Sequence, residues 1–135
     1  MKVYDAAGAV AGRLAVRAAK DTLLGEDVIV INAGEAIITG TKEATIAKYH
    51  RIQTMGKWHK GPFLDRTPER VMKRIIRGML PRAHTRGQEA FKKIRCYTTR
   101  PAGLTTTEVI SMRRATPHES ITLRELCKAL GGKIV

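Results

Sequence analysis

The sequence predicts an α/β fold built on a parallel sheet, and three stretches near its start carry that prediction. "KVYD" is a short apolar run. "GRLAVRAAKDTLLG" is rich in Ala and Leu, with Gly25 where a helix should stop, and "DVIVIN" is an unbroken β-branched run of the kind buried on both faces of a sheet. Strand, helix and strand in that order make a βαβ unit, whose crossover is right-handed as a rule.

Beyond this unit, "AIITG" suits a short strand or a sheet edge, and Thr41 is placed to cap a helix over "KEATIAKYHRIQ", with Glu43 in the first turn favoured by the helix dipole. "TMGKWHKGPFLDR" mixes Gly, Lys and aromatic residues without a period, so we expect a loop with a short strand near Phe63. Thr67 then caps a helix, Pro68 occupies its first position, where a missing N–H costs nothing, and Pro81 closes it. "TRGQ" fits a capping box from Thr85 to Gln88, and "IRCYT" reads as another strand. From Thr98 to Ser120 there is no clear period, and an extension lying on the surface or on a partner is expected. "TLRELCKALGG" closes the chain as an amphipathic helix: Leu123, Leu126, Cys127 and Leu130 share a stripe, Thr122 and Glu125 form a capping box, and Gly131 ends it. The division that follows is an α/β domain over residues 1–97 and an extension with its terminal helix over 98–135, packing on the domain or on a neighbour.

Charge selects the partner. The chain has 135 residues, 43% of them apolar, enough for one domain with a closed core, and a formal charge of +13. Residues 41–100 hold 16 Lys and Arg against four acids, or +12, which leaves 9 against 8, or +1, elsewhere. So uneven a field points one face toward a polyanion. Within the helix over 67–80, Val71, Met72, Ile75, Ile76, Met79 and Leu80 occupy one half at 100° per residue, and Arg70, Lys73, Arg74 and Arg77 centre on the other. Like charges at these spacings repel by a few tenths of a kcal/mol per pair, so an outside counter-charge is expected. An ordinary solvated face would mix signs. Here the flanks are basic too: Lys57 and Lys60 surround Trp58 and His59, Phe63 and Arg66 follow, and Arg82, Arg86, Lys92, Lys93 and Arg95 continue. Cations interleaved with a ring suit phosphate contact plus stacking on an unpaired base, the usual mode for structured RNA. Trp58 taken alone fits a core anchor equally well.

Other classes fare worse. An anionic membrane surface usually meets bulky aromatic residues, whereas this helix offers aliphatic residues and Met, and no run approaches the roughly 18 apolar residues of a membrane span. The first residues lack a signal-peptide core, and Cys96 and Cys127 form no paired motif, so a reduced cytosolic protein is expected. The turn "DAAGAVAG" places Gly8 and Gly12 before a helix, but its spacing is not that of a dinucleotide-binding loop, and Asp27 stands at the start of the second strand instead of its end. Close packing of strand and helix explains these glycines, and the helix N-terminus can hold an RNA phosphate with help from Arg13. His50, His59, His84 and His118 show no metal-ligand spacing, Ser111 and Ser120 lie in no nucleophile motif, and acids are too sparse in the basic section for a two-metal nuclease. No catalytic constellation, metal site or cofactor is expected. A free regulator of messenger RNA, or an enzyme using the Gly8 to Gly12 turn, remains an alternative on these grounds.

Five segments in order, "VYDAAGAVAGRLA", "VIVINAGEAIITG", "RVMKRIIRGMLP", "RGQEAFKKIRCY" and "ITLRELCKALGG", resemble the universal large-ribosomal-subunit protein family thirteen, in its archaeal and eukaryotic-like form. The resemblance implies a three-layer α/β/α domain with a small, mostly parallel sheet of about four strands. It implies a structural, non-enzymatic protein that binds large-subunit rRNA, supports early subunit assembly and neighbours other ribosomal proteins in the cytoplasmic ribosome. It does not imply an obligate homo-oligomer. Arg13, Gly40, the loop "KWHKGPF" and the cations of "RVMKRIIRGMLP" fall in the family's segments; "TTTEVISMRRATPHES" departs from them.

Overall fold

A computed structural model describes residues 1–104, 108–115 and 119–133. Its main sheet has strands β1 (Lys2–Asp5), β2 (Val28–Ile31), β4 (Ile94–Cys96) and β5 (Val109–Ser111) in the order β4-β2-β1-β5. Every pairing in it is parallel: Val3 lies opposite Ile29 on one side and Val109 on the other, and Val28 lies opposite Ile94. β3 (Ile37–Thr39) pairs antiparallel with β6 (Ser120–Thr122) in a separate ribbon. The helices among the described residues are α1 (Ala11–Leu23), α2 (Lys42–Thr54), α3 (Pro68–Gly78), α4 (Thr85–Lys92) and α5 (Leu123–Ala129). The arrangement is the expected α/β fold, consistent with three layers.

Burial explains the arrangement. Val28, Val30 and Ile31 are enclosed because β2 has a partner strand on each side and helices against it. α1 buries Ala11, Leu14, Ala15, Ala18 and Ala19, and this mostly methyl-sized face lets α3 approach it closely. α3 contributes Val71, Met72 and Ile76 to the same core and also touches β4 and α5. Each fully buried Leu, Ile or Met adds about 1.5–3 kcal/mol of transfer free energy. At the far end of α1, Asp21 accepts hydrogen bonds from Tyr4 and, at 2.9 Å, from Lys2, tying helix to strand.

Several local expectations need correction. Near Phe63 no strand forms; the loop closes through a single antiparallel bridge between Lys57 and Gly61. The cap of α4 is His84, not Thr85, and Gln88 donates to the Arg82 carbonyl at 3.3 Å instead of reaching back to a threonine. Pro81 explains the shift, because its carbonyl already accepts the His84 N–H and turns the chain one residue early. Thr41 and Thr67 stand at the caps of α2 and α3 with extended backbone but no side-chain cap hydrogen bond. Met79 is 44% exposed because α3 ends at Gly78 and the wheel no longer aims it inward. β5 lies in the stretch that showed no period and β6 begins at its last residue, Ser120; in three residues no period can show. The box from Thr122 to Glu125 is present, with Thr122 accepting the Glu125 N–H at 3.2 Å. His118 lies outside the described residues.

Candidate nucleic-acid interface

The α3 helix is amphipathic for a local reason: apolar and basic residues alternate at helical spacing, and the apolar half is captured by α1 and β4. Each cation on the other half is held differently. Arg70 donates to Asp65 at 2.9 Å, and both are exposed, so the pair contributes little. Lys73 sits 4.9 Å over the Phe91 ring. Arg74 donates to the Phe63 carbonyl at 3.4 Å. Burial first, then the charges of Arg82 and Arg74, push the Arg77 guanidinium below its ordinary pKa, although it stays protonated at neutral pH. Phe63, Asp65, Phe91 and this row of cations line one open cleft.

The adjoining loop supplies rings. Trp58 is 89% exposed and Phe63 70% exposed, which removes the core-anchor reading of Trp58. His59 meets the Trp58 ring edge to face at 5.1 Å, with Lys57 and Lys60 exposed beside them. A large apolar surface left in water without a protein partner suits stacking on a base.

Not all the expected residues gather here. Arg66 is exposed but turns toward the Gln53 side chain on α2; with that amide turned so that its oxygen faces the guanidinium, Nε and Nη2 donate to it at 2.9 and 2.8 Å. Arg86 donates to the Leu23 carbonyl at 3.3 Å and Lys93 to the Gly25 carbonyl at 2.9 Å, so both cap the C-terminal end of α1, where cations are favoured. Arg82 and Lys92 are exposed around α4, and Arg95 is exposed on β4 in a cleft shared with Lys73 and Arg70. Arg13 lies elsewhere, at the start of α1, in a cleft with Arg17, Arg113 and Arg114. The last three were missed. Arg17 follows Arg13 by one helical turn, and the "RR" pair comes three residues after the β-branched Val109–Ile110, signals strong enough to find them.

Both cysteines are held as thiols. Burial pushes the Cys96 thiol up to about 12 and the Cys127 thiol up to about 11, so neither is a thiolate at neutral pH. Among the described residues no three His, Cys, Asp or Glu converge as a metal site, and no helix is long and apolar enough to cross a membrane.

Residues 1–103 match the family model described as ribosomal protein L13. A Methanocaldococcus jannaschii protein named large ribosomal subunit protein uL13 is 40% identical over 98% of this chain and 99% of its own length. Proteins of the same name from Thermoplasma acidophilum and Methanococcoides burtonii are 38% and 37% identical, again over 98% of this chain and 99% of theirs. With a family match over most of its length and relatives aligned nearly end to end, the chain belongs to the ribosomal protein L13 family.

Proposed function

We propose that this chain, a structural component of the large ribosomal subunit and not an enzyme, binds large-subunit rRNA through α3, the 55–66 loop and the 82–95 segment, and acts early in subunit assembly. One observation carries the reading: Arg70, Lys73, Arg74 and Arg77 form an outward row on α3 whose only carboxylate partner among the described residues is Asp65, beside the exposed rings of Trp58 and Phe63. Such a surface recognises backbone shape and unpaired bases more than sequence. It neutralises phosphates that otherwise repel as RNA helices pack. Residues 1–97 supply these RNA contacts, and 98–135 brace that domain and reach a neighbouring ribosomal protein or RNA. The chain works as a single copy in the cytoplasmic ribosome.

The test is sedimentation of tagged protein from a lysate through sucrose, with a parallel moderate-salt wash. Co-migration with the large subunit through the wash is expected, because an embedded component outlasts simple phosphate contacts, of which six to ten lose roughly 10³–10⁵ in affinity between about 50 and 200 mM salt. Recovery only at the top of the gradient overturns the assignment and favours a free RNA-binding regulator.

A further inference from the structure

We propose a second RNA-binding surface, formed by Arg13, Arg17, Arg113 and Arg114 between the ends of β1 and β5, which holds a different backbone segment from the one on α3, so that the protein bridges two RNA strands or helices. This rests on the RNA-binding reading above and adds a second contact to it.

The fold places these arginines at a topological switch point. From β1 the chain passes to β2 and on to β4 in one direction, and then returns to the opposite side of β1 as β5. Where strand order reverses in a parallel sheet, the loops leaving neighbouring strands part and open a crevice beyond the strands' carboxyl ends. Here that crevice is lined by Val10, Arg13 and Arg17 from α1 and its approach, and by Ile110, Met112, Arg113 and Arg114 from β5 and beyond. No acidic side chain lines it, and among the described residues none of the four arginines enters an ion pair.

Gly8 is part of the construction. Its φ of +66° suits glycine, and a Cβ there would come within 3.0 Å of Arg113 Cγ and 3.5 Å of its Nε. The bare turn therefore seats the Arg113 side chain over the entry to α1, and the Arg114 N–H donates to the Gly8 carbonyl at 3.3 Å. Thus the turn at Gly8 is occupied by the protein's own arginine. What remains for an incoming group is a rim of guanidinium donors, a fork geometry suited to phosphodiester oxygens.

This surface and the α3 row border different edges of the main sheet. The α3 row borders β4, since Lys73, Arg95 and Cys96 share a cleft, whereas the arginine crevice borders β5 at the other edge.

Energy transfer between donor- and acceptor-labelled RNA duplexes of about 20 base pairs, mixed with the full chain, tests bridging. Transfer should appear and then fall as excess protein separates the duplexes. R17E/R114E, which leaves Arg113 on Gly8, should still bind one duplex while losing transfer, with a salt slope smaller by about 1.4 to 1.8. Hydrogen exchange on the unaltered chain removes any dependence on variant folding: RNA should protect residues 8–17 and 110–114 as well as 66–80. Transfer unchanged in R17E/R114E, or no protection at the first two segments, overturns the proposal. So does loss of transfer to millimolar inorganic phosphate or ATP at fixed ionic strength, which assigns the crevice to a free phosphate compound. Single-duplex binding by the wild-type chain without transfer refutes bridging alone, whereas no RNA binding by the wild-type chain refutes the broader reading.

Discussion

Replacing Arg70, Arg74 and Arg77 with Ser should weaken RNA association and flatten its salt dependence while leaving the fold intact. The stability side is small. None of the three is buried, and their hydrogen bonds among the described residues are limited to Asp65 and the Phe63 carbonyl. Serine lowers helix propensity by about 0.3 kcal/mol per site, or about 1 kcal/mol in all. Against that, the change removes the like-charge pairs 70–73, 70–74, 73–77 and 74–77, each worth a few tenths of a kcal/mol. The net effect on folding should lie within about 1 kcal/mol. The binding side is larger. Three lost phosphate contacts should reduce the slope of log affinity against log salt by about 2.1 to 2.7, using about 0.7 to 0.9 per contact. Between about 50 and 200 mM salt the wild-type chain should therefore lose roughly 20- to 40-fold more affinity than the variant. Fluorescence anisotropy with a labelled rRNA fragment across that range, beside thermal melts of both proteins, reads each quantity. An unchanged slope in a folded variant refutes the α3 row as the interface.

Other consequences are more local. Trp58→Ala should leave the melting temperature unchanged, since the ring is 89% exposed, yet weaken binding to RNA with unpaired bases by about 1–3 kcal/mol and spare a fully paired duplex; equal losses on both RNAs argue against stacking. Gly87→Ala should destabilise the chain by about 1–3 kcal/mol in denaturant titration despite a helix-propensity gain of about 1 kcal/mol, because the new Cβ would stand 2.1 Å from the Pro81 carbonyl oxygen, a backbone atom that cannot swing aside. Asp21 makes the acid limb testable: burial opposes its ionisation, but hydrogen bonds from Tyr4 and Lys2 outweigh that and hold its pKa below the ordinary 3.8. A carboxyl depressed on folding stabilises in full above its unfolded pKa and loses that contribution as pH falls through the folded value. Asp21→Asn should therefore be less stable than wild type by about 1–3 kcal/mol at neutral pH, with the gap closing below about pH 4; a constant gap down to strong acid contradicts the ionised tie.

How much of this was legible in the sequence depended on range. β1, α1, β2 and α5 were readable because strand runs, helix stripes, stop glycines and the Thr122 cap are local patterns. β5 and β6 were not, because each is a three-residue strand specified by a partner far away, β1 and β3 respectively. The same limit shaped the site. The α3 row is one helix face and could be seen at once, whereas the crevice with Arg13 and Arg17 needs Arg113 and Arg114 brought in by β5, about a hundred residues downstream. Sequence could assign charge to Arg86 and Lys93 but not their position at the C-terminal end of α1, which only tertiary packing creates.

The way the α3 cations are held bears on how the surface works. A salt bridge would orient each side chain but cancel its charge. Among the described residues, only Arg70 of the α3 row is held so. Lys73 rests on the Phe91 ring and Arg74 on the Phe63 carbonyl, partners that fix direction while leaving a full positive charge. Ordering a long, flexible side chain on binding costs about 0.5–1.5 kcal/mol, so side chains held in place beforehand lose less when phosphate arrives. Phe63 serves both needs at once: its carbonyl steadies Arg74 while its ring, 70% exposed, stays available for a base. Burial first, and the neighbouring charges of Arg82 and Arg74 second, lower the Arg77 pKa, and a bound polyanion offsets the like-charge part and so stabilises the bound chain. A protein whose charges were meant only for solubility would gain nothing from holding them so close together.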